Sequence, residues 1–358
     1  MHRFLCVLAL ACAVLGWTGP SAVALEADQY TVPPRELRDI GAEFDAMIAQ
    51  KIQGVLDTAN NSIRWELDRL TAASTDSRRE QHQTRIAGLL SPDTIAQRVY
   101  EALGRGTPEC QAELWLKRDE FRGKWVAWRP AFAESMFAQA AKVKPLLAIA
   151  LTATVRMHDI YFGTDKIGHL FQQGYEYYAV YRKARREGQP HEEAWREAVK
   201  LGVAQEEGVY GHWWVGIYSN ADMAGNALGL LFYLNLFEPI ELADVEHPPI
   251  LVIVDRQWRF NPDAGDAWLK PFFTEHLSEA RNPSRYIPPM RDFIAEAQRR
   301  RASAYLEFFQ TDLATEARLT RELSTLYRLD YGHCGFDEIT ILADLFPEGL
   351  PELVKDDR

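Results

Sequence analysis

The chain has 358 residues, of which 47% are hydrophobic and 25% are charged, and its formal net charge at pH 7 is −11. This length allows a large hydrophobic core, in either one extended domain or two. The acidic balance excludes binding of nucleic acid, or of an anionic bilayer, through overall charge.

The first residues have the pattern of a secretory signal peptide. A short basic start at 2–3 precedes an apolar run over 4–17 and a small-x-small cleavage site over 22–24. The pattern predicts a signal peptide over 1–24 that is removed after Ala24. We therefore expect a periplasmic or secreted protein.

The chain has 4 cysteines, and the first two lie within the predicted signal peptide. Cys12 follows an Ala-Leu-Ala sequence, but the apolar run before it is short, so lipoprotein anchoring at Cys12 is not expected. Cys110 and Cys334 remain in the processed chain. They either form one long-range disulfide or stay as two unpaired thiols, because the sequence does not place their α-carbons within bonding distance.

An N-terminal helical arm is predicted over 25–83. Apolar residues recur at helical spacing after Pro33-Pro34, which indicates one long helix or two helices broken near Asn60-Asn61. Residues 71–83 are rich in Ser, Thr, Asp and Arg. They predict an exposed loop at the boundary between the arm and the main body.

A central helical domain is predicted over 84–245 from caps, prolines and apolar spacing. Its predicted elements are a helix from Ser91-Pro92 to Leu103, a short strand or aromatic turn over 123–129, a helix over 131–157, and helices over 165–186, 192–207 and 222–237.

The C-terminal region, 246–358, is predicted to contain a strand over 250–254, which forms a hairpin with 256–260, and helices over 293–327 split near 311–312. The predicted fold class is mainly α, a multi-helix bundle with a minor β-hairpin near 250–260, and the C-terminal helices pack on the central domain. The most apolar internal runs have about 11 residues, whereas a spanning helix needs roughly 20, so no transmembrane span is expected after the signal.

Two pairs of polar residues mark a candidate site. Asp165 and His169 are four residues apart, and Asp222 and Asn226 repeat that spacing. Residues four apart lie on one face of a helix, so each pair would project together from the start of a helix that continues with apolar residues. We expect the two helices to bring these polar groups together at one end of an apolar interface.

Each aspartate also has a simpler explanation as part of a helix N-terminus. Asp165 would complement the free N–H groups of a helix capped by Thr164, and Ser219 with Asp222 resembles a capping pattern. His169 and Asn226 lie beyond the caps, among apolar residues, and need hydrogen-bond partners there.

The candidate residues could form a closed polar network or bind a divalent metal. Asp165, His169 and Asp222 are ordinary metal ligands, and zinc would be the expected ion. Of the acids before Gly208, Glu207 is predicted as a general base because it directly precedes the glycine, with Glu206 and Asn226 in support. His158, beside the first motif, and His212, in a loop that would close over the site, are secondary candidates.

The motifs resemble those of a known family. Asp165-Lys166-x-Gly168-His169, the acid-glycine pair at 207–208 and the Ser-Asn-x-Asp-x-x-x-Asn-x-x-Gly segment over 219–229 resemble the YfiM-type family of bacterial envelope lipoproteins, and more distantly the VanZ-like family. The resemblance covers about residues 158–237. This sequence departs from the family pattern in having Glu207 where Asp is usual, in lacking a lipid-attachment cysteine and in its long helical additions. The resemblance implies an envelope protein and indicates that these residues belong to one site, but it implies no reaction.

Several familiar catalytic motifs are absent from the sequence, among them the Gly-x-Ser-x-Gly elbow, the phosphate-binding loop, the dinucleotide glycine pattern, His-Glu-x-x-His and Cys-x-x-Cys. The sequence therefore predicts an exported envelope protein with a non-catalytic structural or binding role, whose partner is an envelope component or a membrane-associated molecule. The alternative is a metal-dependent hydrolase of peptidoglycan or lipid, in which Glu207 activates a water molecule.

Overall fold

A computed structural model of the protein describes residues 26–106, 109–208 and 211–350. The predicted signal peptide, its cleavage site after Ala24, and Cys12 lie outside these residues. Within them the fold is mainly α-helical with small β-sheets, which confirms the predicted fold class. Each helix in this part of the chain is too short or too polar to cross a bilayer.

We number the helices in chain order. They are α1 (Gly41–Ala72), α2 (Asp76–Leu89), α3 (Pro92–Leu103), α4 (Gln111–Trp115), α5 (Leu147–Ala150), α6 (Asp165–Gly168), α7 (Gly174–Arg186), α8 (His191–Glu207), α9 (Asn220–Asn235), α10 (Pro288–Phe308) and α11 (Leu313–Glu322). A π-helical turn, His169–Gln173, joins α6 to α7. The three segments form one continuous helix, which we call the α6–α7 helix.

The strands are short and form separate sheets of two or three strands. They are β1 (Glu26–Ala27), β2 (Ala127–Trp128), β3 (Leu151–Thr152), β4 (Thr154–Met157), β5 (Ile160–Gly163), β6 (Ile217–Tyr218), β7 (Ile240–Leu242), β8 (Val245–His247), β9 (Leu251–Val254), β10 (Gln257–Phe260) and β11 (Arg285–Tyr286). Strands β1 and β3 pair in parallel, whereas β2–β4–β5, β6–β11, β7–β8 and β9–β10 are antiparallel.

Helix α1 is a single unbroken helix, and Asn60 ties it to a distant hairpin instead of interrupting it. The side-chain amide of Asn60 donates to the carbonyl oxygen of Trp258 at 2.9 Å and accepts from the Trp258 N–H at 2.8 Å. The predicted loop over 71–83 is wrong. Helix α2 occupies most of it, and begins after Thr75, whose hydroxyl accepts from the Arg78 N–H.

The prediction of a helix over 131–157 is also wrong. Helical turns end at α5, and the chain then forms β3 and the β4–β5 hairpin. His158 and Asp159 make the hairpin turn with φ of 54° and 69°, the left-handed region that a two-residue antiparallel turn requires. The alanine content over 131–150 favoured a helix, but the β-branched residues after it pair better as strands. The hairpin delivers the chain to the start of α6.

Other predictions are confirmed. Helices α3, α8 and α9, the α6–α7 helix and the β9–β10 hairpin lie where the sequence indicated, and the C-terminal helices are split at Asp312, whose carboxylate caps α11 by accepting from the Thr315 N–H. Cys110 and Cys334 are both free, so the disulfide alternative is excluded. The β7–β8 hairpin was not predicted.

Two hydrophobic cores organise the described residues. The larger joins apolar residues of α1, α3, the α6–α7 helix, α8 and α9, so the predicted N-terminal arm packs on the body through a shared core. The smaller surrounds α10 and includes Tyr30, Met136 and Phe137.

The α6–α7 helix and α9 approach so closely that only glycine fits at their contact. A Cβ atom on Gly229 would lie 2.1 Å from the carbonyl oxygen of Leu170 and 2.6 Å from the Cα atom of Gly174. The obstructing atoms belong to backbone, so a side chain there would push the two helices apart. The helix contact is therefore set by this pair of glycines.

We expect Gly229→Ala to lower the free energy of unfolding by roughly 3 kcal/mol, because the added methyl group overpacks a backbone contact. Gly54→Ala in α1 is the matched control, since a Cβ there meets nothing within 4 Å. The control should be neutral or stabilise by about 0.5–1 kcal/mol. Urea unfolding of the three proteins measures both effects. Equal stability of Gly229→Ala and the wild type would contradict the close helix contact.

Candidate functional site

A fully buried ammonium group, that of Lys166, lies at the centre of the site. It donates to the Asp165 carboxylate at 2.6 Å and to the Glu279 carboxylate, and it forms an ion pair with Asp222. These acids come from the start of α6, from the segment before β11, and from the first turn of α9. An ammonium has three N–H donors, so its hydrogen-bonding capacity matches the three carboxylates around it.

The start of α6 places Asp165 and Lys166 side by side. A carboxylate is favoured near a helix N-terminus and a cation is disfavoured there, so Lys166 is stable in this position only because of the acids around it. Gly163, at the end of β5, makes room for the pair. A Cβ atom on Gly163 would lie 2.4 Å from Asp165 Oδ1.

His169 links the ammonium centre to α9. Its Nε2 atom lies 3.2 Å from Asp222 Oδ2, and its Nδ1 atom lies 2.9 Å from Asn226 Oδ1. Both ring nitrogens therefore face acceptors, which favours the doubly protonated imidazolium. The π-helical turn begins at His169, and such turns often mark functional positions in helices.

The charges of the cluster change one another's pKa values. Burial alone would lower the pKa of His169, but the Asp222 carboxylate outweighs it and raises that pKa to about 9. Burial would raise the pKa of Asp222, but the positive charges of His169 and Lys166 hold it well below its ordinary range. At neutral pH this part of the cluster is a set of ion pairs: protonated His169 and Lys166 around ionised Asp222.

Glu206, and not Glu207, lies at the cluster. The buried Glu206 carboxylate accepts from the Ser219 N–H at 3.2 Å, and burial together with the Asp222 charge raises its pKa to about 8. Glu207 is half-exposed and pairs with Arg285 at 2.6 Å. Adjacent residues on a helix point about 100° apart, so only one of the two acids can face inward. Because Glu207 points away from the cluster, the structure corrects the prediction that Glu207 is the general base.

Two further acids complete the cluster from outside the predicted motifs. One oxygen of Glu279 contacts Lys166, and the other accepts from the Ala27 N–H of β1 at 2.7 Å. Burial and the negative charges of Asp165 and Asp222 raise the pKa of Glu279 to about 8, against the opposing charge of Lys166. Glu26 is buried beside them, and burial and the Glu279 charge raise its pKa as well. Buried acids thus outnumber buried cations here.

Within the described residues, neither secondary histidine forms a side-chain hydrogen bond or ion pair with the cluster. His158 occupies the β4–β5 turn, where its Nε2 atom lies 3.1 Å from Asp45 Oδ1 in α1. His212 follows α8, and its N–H donates to the Glu206 carbonyl at 2.7 Å. Burial and the nearby charges of Arg285, Lys144 and Arg291 lower the pKa of the His212 ring.

The capping alternative holds for one of the two helices. Ser219 caps α9 by accepting from the Asp222 N–H at 3.2 Å, while the Asp222 side chain points into the cluster. Thr164 does not cap α6, because its hydroxyl bonds the Thr152 hydroxyl at 2.6 Å. The backbone of Asp222 thus takes part in the helix cap, while its side chain belongs to the cluster.

Asp165, His169 and Asp222 can also be viewed as a metal triad, because their ligand atoms lie within 4.8 Å of one another. Their donor types suit zinc. Lys166 contacts one oxygen of each aspartate and leaves the buried Asp165 Oδ1 atom without a hydrogen bond. The donor set therefore fits a divalent ion, whereas the adjacent ammonium charge opposes one.

Three members of the cluster were missed from the sequence: Lys166, Glu279 and Glu26. A lysine in the first turn of a helix, followed by apolar residues, is an electrostatic anomaly and was a usable signal for Lys166. Glu279 is 113 residues away from Lys166 in sequence and carried no local signal.

The fold and site define a mainly α-helical protein with a buried ionic cluster at the end of the contact between the α6–α7 helix and α9. Comparison with family models, curated proteins and solved structures gave no match. The resemblance to the YfiM-type and VanZ-like families therefore stays a prediction.

We expect the free energy of unfolding to fall as the pH rises from about 5 to about 9. The pKa of His169 is raised from 6.5 to about 9, and those of Glu206 and Glu279 are raised from 4.5 to about 8. All three groups bind protons more tightly when folded, so the stability they contribute is complete below the unfolded pKa values and is lost as the pH passes the folded ones.

Denaturant unfolding at a series of pH values measures this slope. Glu206→Gln should flatten the slope between about pH 5 and 8, because the amide keeps an acceptor for Ser219 but cannot titrate. Glu207→Gln is the control and should leave the slope unchanged, since this neighbouring acid lies outside the cluster. A wild-type stability that rises over this pH range would contradict the assigned protonation states.

Proposed function

We propose that the chain is an exported bacterial envelope protein with a non-catalytic structural or binding role, and that the ionic cluster locks its central helices in place. The signal-peptide pattern over 1–24 supports export. The observation that carries the structural role is the Lys166 ammonium, fully buried and surrounded by carboxylates from three separate parts of the chain.

The burial of the cluster supports a role without catalysis. Lys166 and Asp222 have no exposed side-chain surface, and Asp165 is 4% exposed. A reacting group must approach a substrate within hydrogen-bond distance, and most of these groups are paired with one another inside the protein. A buried ionic cluster supplies rigid geometry and costs heavily when it is broken, because any remaining charge is left unpaired in the interior.

The cluster also selects one arrangement of the central helices. Sliding or rotating α9 against the α6–α7 helix would separate Asp222 from both Lys166 and His169, and Asn226 from His169. Apolar side chains tolerate such shifts better than charges do, since hydrophobic burial has no direction. On this proposal the cluster specifies the packing that holds the rest of the molecule for its binding role.

We expect Lys166→Met to lower the free energy of unfolding by about 3–5 kcal/mol, because it leaves unpaired carboxylates buried. Lys183→Met is the matched control. Lys183 is exposed, and its ion pair among the described residues is a 4.0 Å contact with Glu187, so the change should stay within about 0.5 kcal/mol.

The double variant Lys166→Met/Glu279→Gln keeps this test decisive if Lys166→Met does not fold. Removing the ammonium together with the Glu279 acid should recover part of the loss, so folding of the double variant when Lys166→Met alone does not fold would support the structural role. Where Glu279→Gln and all the other variants fold, chemical denaturation of the four proteins gives the coupling energy. Wild-type stability in Lys166→Met would eliminate the structural role of the cluster.

A second candidate function, a metal-dependent hydrolase of peptidoglycan or lipid, is favoured by one observation, the convergence of Asp165, His169 and Asp222 with an unbonded oxygen on Asp165. These three side chains would hold the ion. A divalent metal there would lower the pKa of a bound water molecule and supply a nucleophile. Glu206, which lies at the cluster, replaces Glu207 as the candidate general base, and its raised pKa of about 8 means that it would accept a proton mainly at alkaline pH.

Metal analysis of the purified protein separates the two functions. On the structural proposal, we expect far less than one zinc ion per chain after purification in zinc-containing buffer, and His169→Asn should lose thermal stability without changing the metal content. His158→Asn, in the β4–β5 turn, is the control for histidine removal. Stoichiometric zinc that disappears in His169→Asn and persists in His158→Asn would favour the hydrolase.

A further inference from the structure

The turn after α8 presents two neighbouring tryptophans to solvent. Trp213 is 68% exposed and Trp214 is 45% exposed. Trp213 is the most exposed large apolar side chain in the described parts of the chain, 26–106, 109–208 and 211–350. Single exposed apolar residues are common on protein surfaces, but adjacent exposed tryptophans form a concentrated apolar area.

A second segment of the chain holds this turn in place. The Lys144 ammonium donates to the carbonyl oxygen of Trp213 at 2.7 Å. We call Trp213 and Trp214 the tryptophan tip. Because a distant segment is bonded to it, the tip belongs to the folded surface and not to one loop alone.

Charged groups of both signs lie near His212, which directly precedes Trp213. Burial and then the charge of Arg285 lower the pKa of His212, Lys144 and Arg291 act in the same direction, and Glu207 opposes them. Glu207 pairs with Arg285 and Glu338 pairs with Arg291, so Lys144 is the cation in most direct contact with the tip.

We propose that the tryptophan tip docks the protein peripherally on the surface of a phospholipid bilayer. Tryptophan rings prefer the boundary between headgroups and acyl chains, where the indole N–H keeps a polar partner. Lys144, which contacts the tip directly, supplies the cation for a lipid phosphate. Trp213 is 68% exposed, so most of its ring is available for insertion into the headgroup region.

The docking residues are not members of the ionic cluster, although the turn that carries them is bonded to Glu206 through the His212 N–H. Trp213→Ala/Trp214→Ala therefore tests bilayer binding without removing a group of the cluster, whereas Lys166→Met tests the cluster. Overall charge opposes approach to an anionic surface, because the chain carries a net −11. Docking therefore requires insertion of the tip, with Lys144 orienting the molecule.

Vesicle flotation tests the proposal with the full chain, expressed with its own leader and purified in its processed form. The vesicles are phosphatidylcholine alone and phosphatidylcholine with about one-third phosphatidylglycerol, a composition that supplies anionic phosphate for Lys144. We expect the wild type to float with both and its tryptophan emission to shift to shorter wavelength. Trp213→Ala/Trp214→Ala should weaken binding roughly 30-fold, because it removes most of the inserted apolar area.

Trp65→Ala is the matched control, since Trp65 is an exposed tryptophan, 48% accessible, on the unrelated surface of α1. It should leave vesicle binding unchanged, whereas Lys144→Glu should weaken binding selectively to the vesicles that contain phosphatidylglycerol. A wild type that remains with the unbound fraction, or a double tryptophan variant that binds as well as the wild type, would overturn the proposal. Self-association of the wild type that the double variant abolishes, without vesicle binding, would assign the tip to a second copy of this chain instead.

Discussion

The fold depends on keeping one positive charge inside the protein. The Lys166 ammonium has no contact with solvent, and its partners come from the start of α6, the start of α9 and the segment before β11. A charge removed from water is tolerated only when opposite charges and hydrogen bonds compensate it, so these segments must reach the same point together. Displacing any of these segments would leave part of the buried Lys166 charge uncompensated.

Two different forces act along one helix contact. Where Gly174 and Gly229 meet, the α6–α7 helix and α9 touch backbone to backbone, and dispersion and hydrophobic burial dominate. At the other end, Asp222, His169 and Lys166 join the same helices through charge. The glycines allow the close approach, and the charges require a particular register. Together they explain why so many small and charged residues occur in a segment that is otherwise strongly apolar.

The sequence predicted those parts of the structure that depend on local pattern. Helical spacing located the α6–α7 helix, α8 and α9, and the four-residue spacing placed Asp165 beside His169 and Asp222 beside Asn226. It could not predict Glu279, whose contact with Lys166 joins residues far apart in the chain. The position of Glu207 directly before Gly208 favoured it over Glu206, but Glu206 lies at the cluster, since a shift of one residue on a helix turns the side chain from the interior to the surface. The prediction of a helix over 131–157 was wrong because it rested on alanine content. Strand pairing, which forms only in the folded protein, determines the structure at the end of this segment.

The N-terminal strand has a consequence for the order in which the molecule is assembled. Residues 26–30 are all buried, and the Ala27 N–H bonds the Glu279 side chain across 252 positions of sequence. Tyr30 likewise bonds the Ala280 carbonyl oxygen, 250 positions away. Contacts of such long range carry a large loop-closure entropy and form slowly. Residues 26–30 are therefore synthesised early but can make these contacts only after residues 279 and 280 have been synthesised. Strand β1 covers the buried acids only when most of the polypeptide is present.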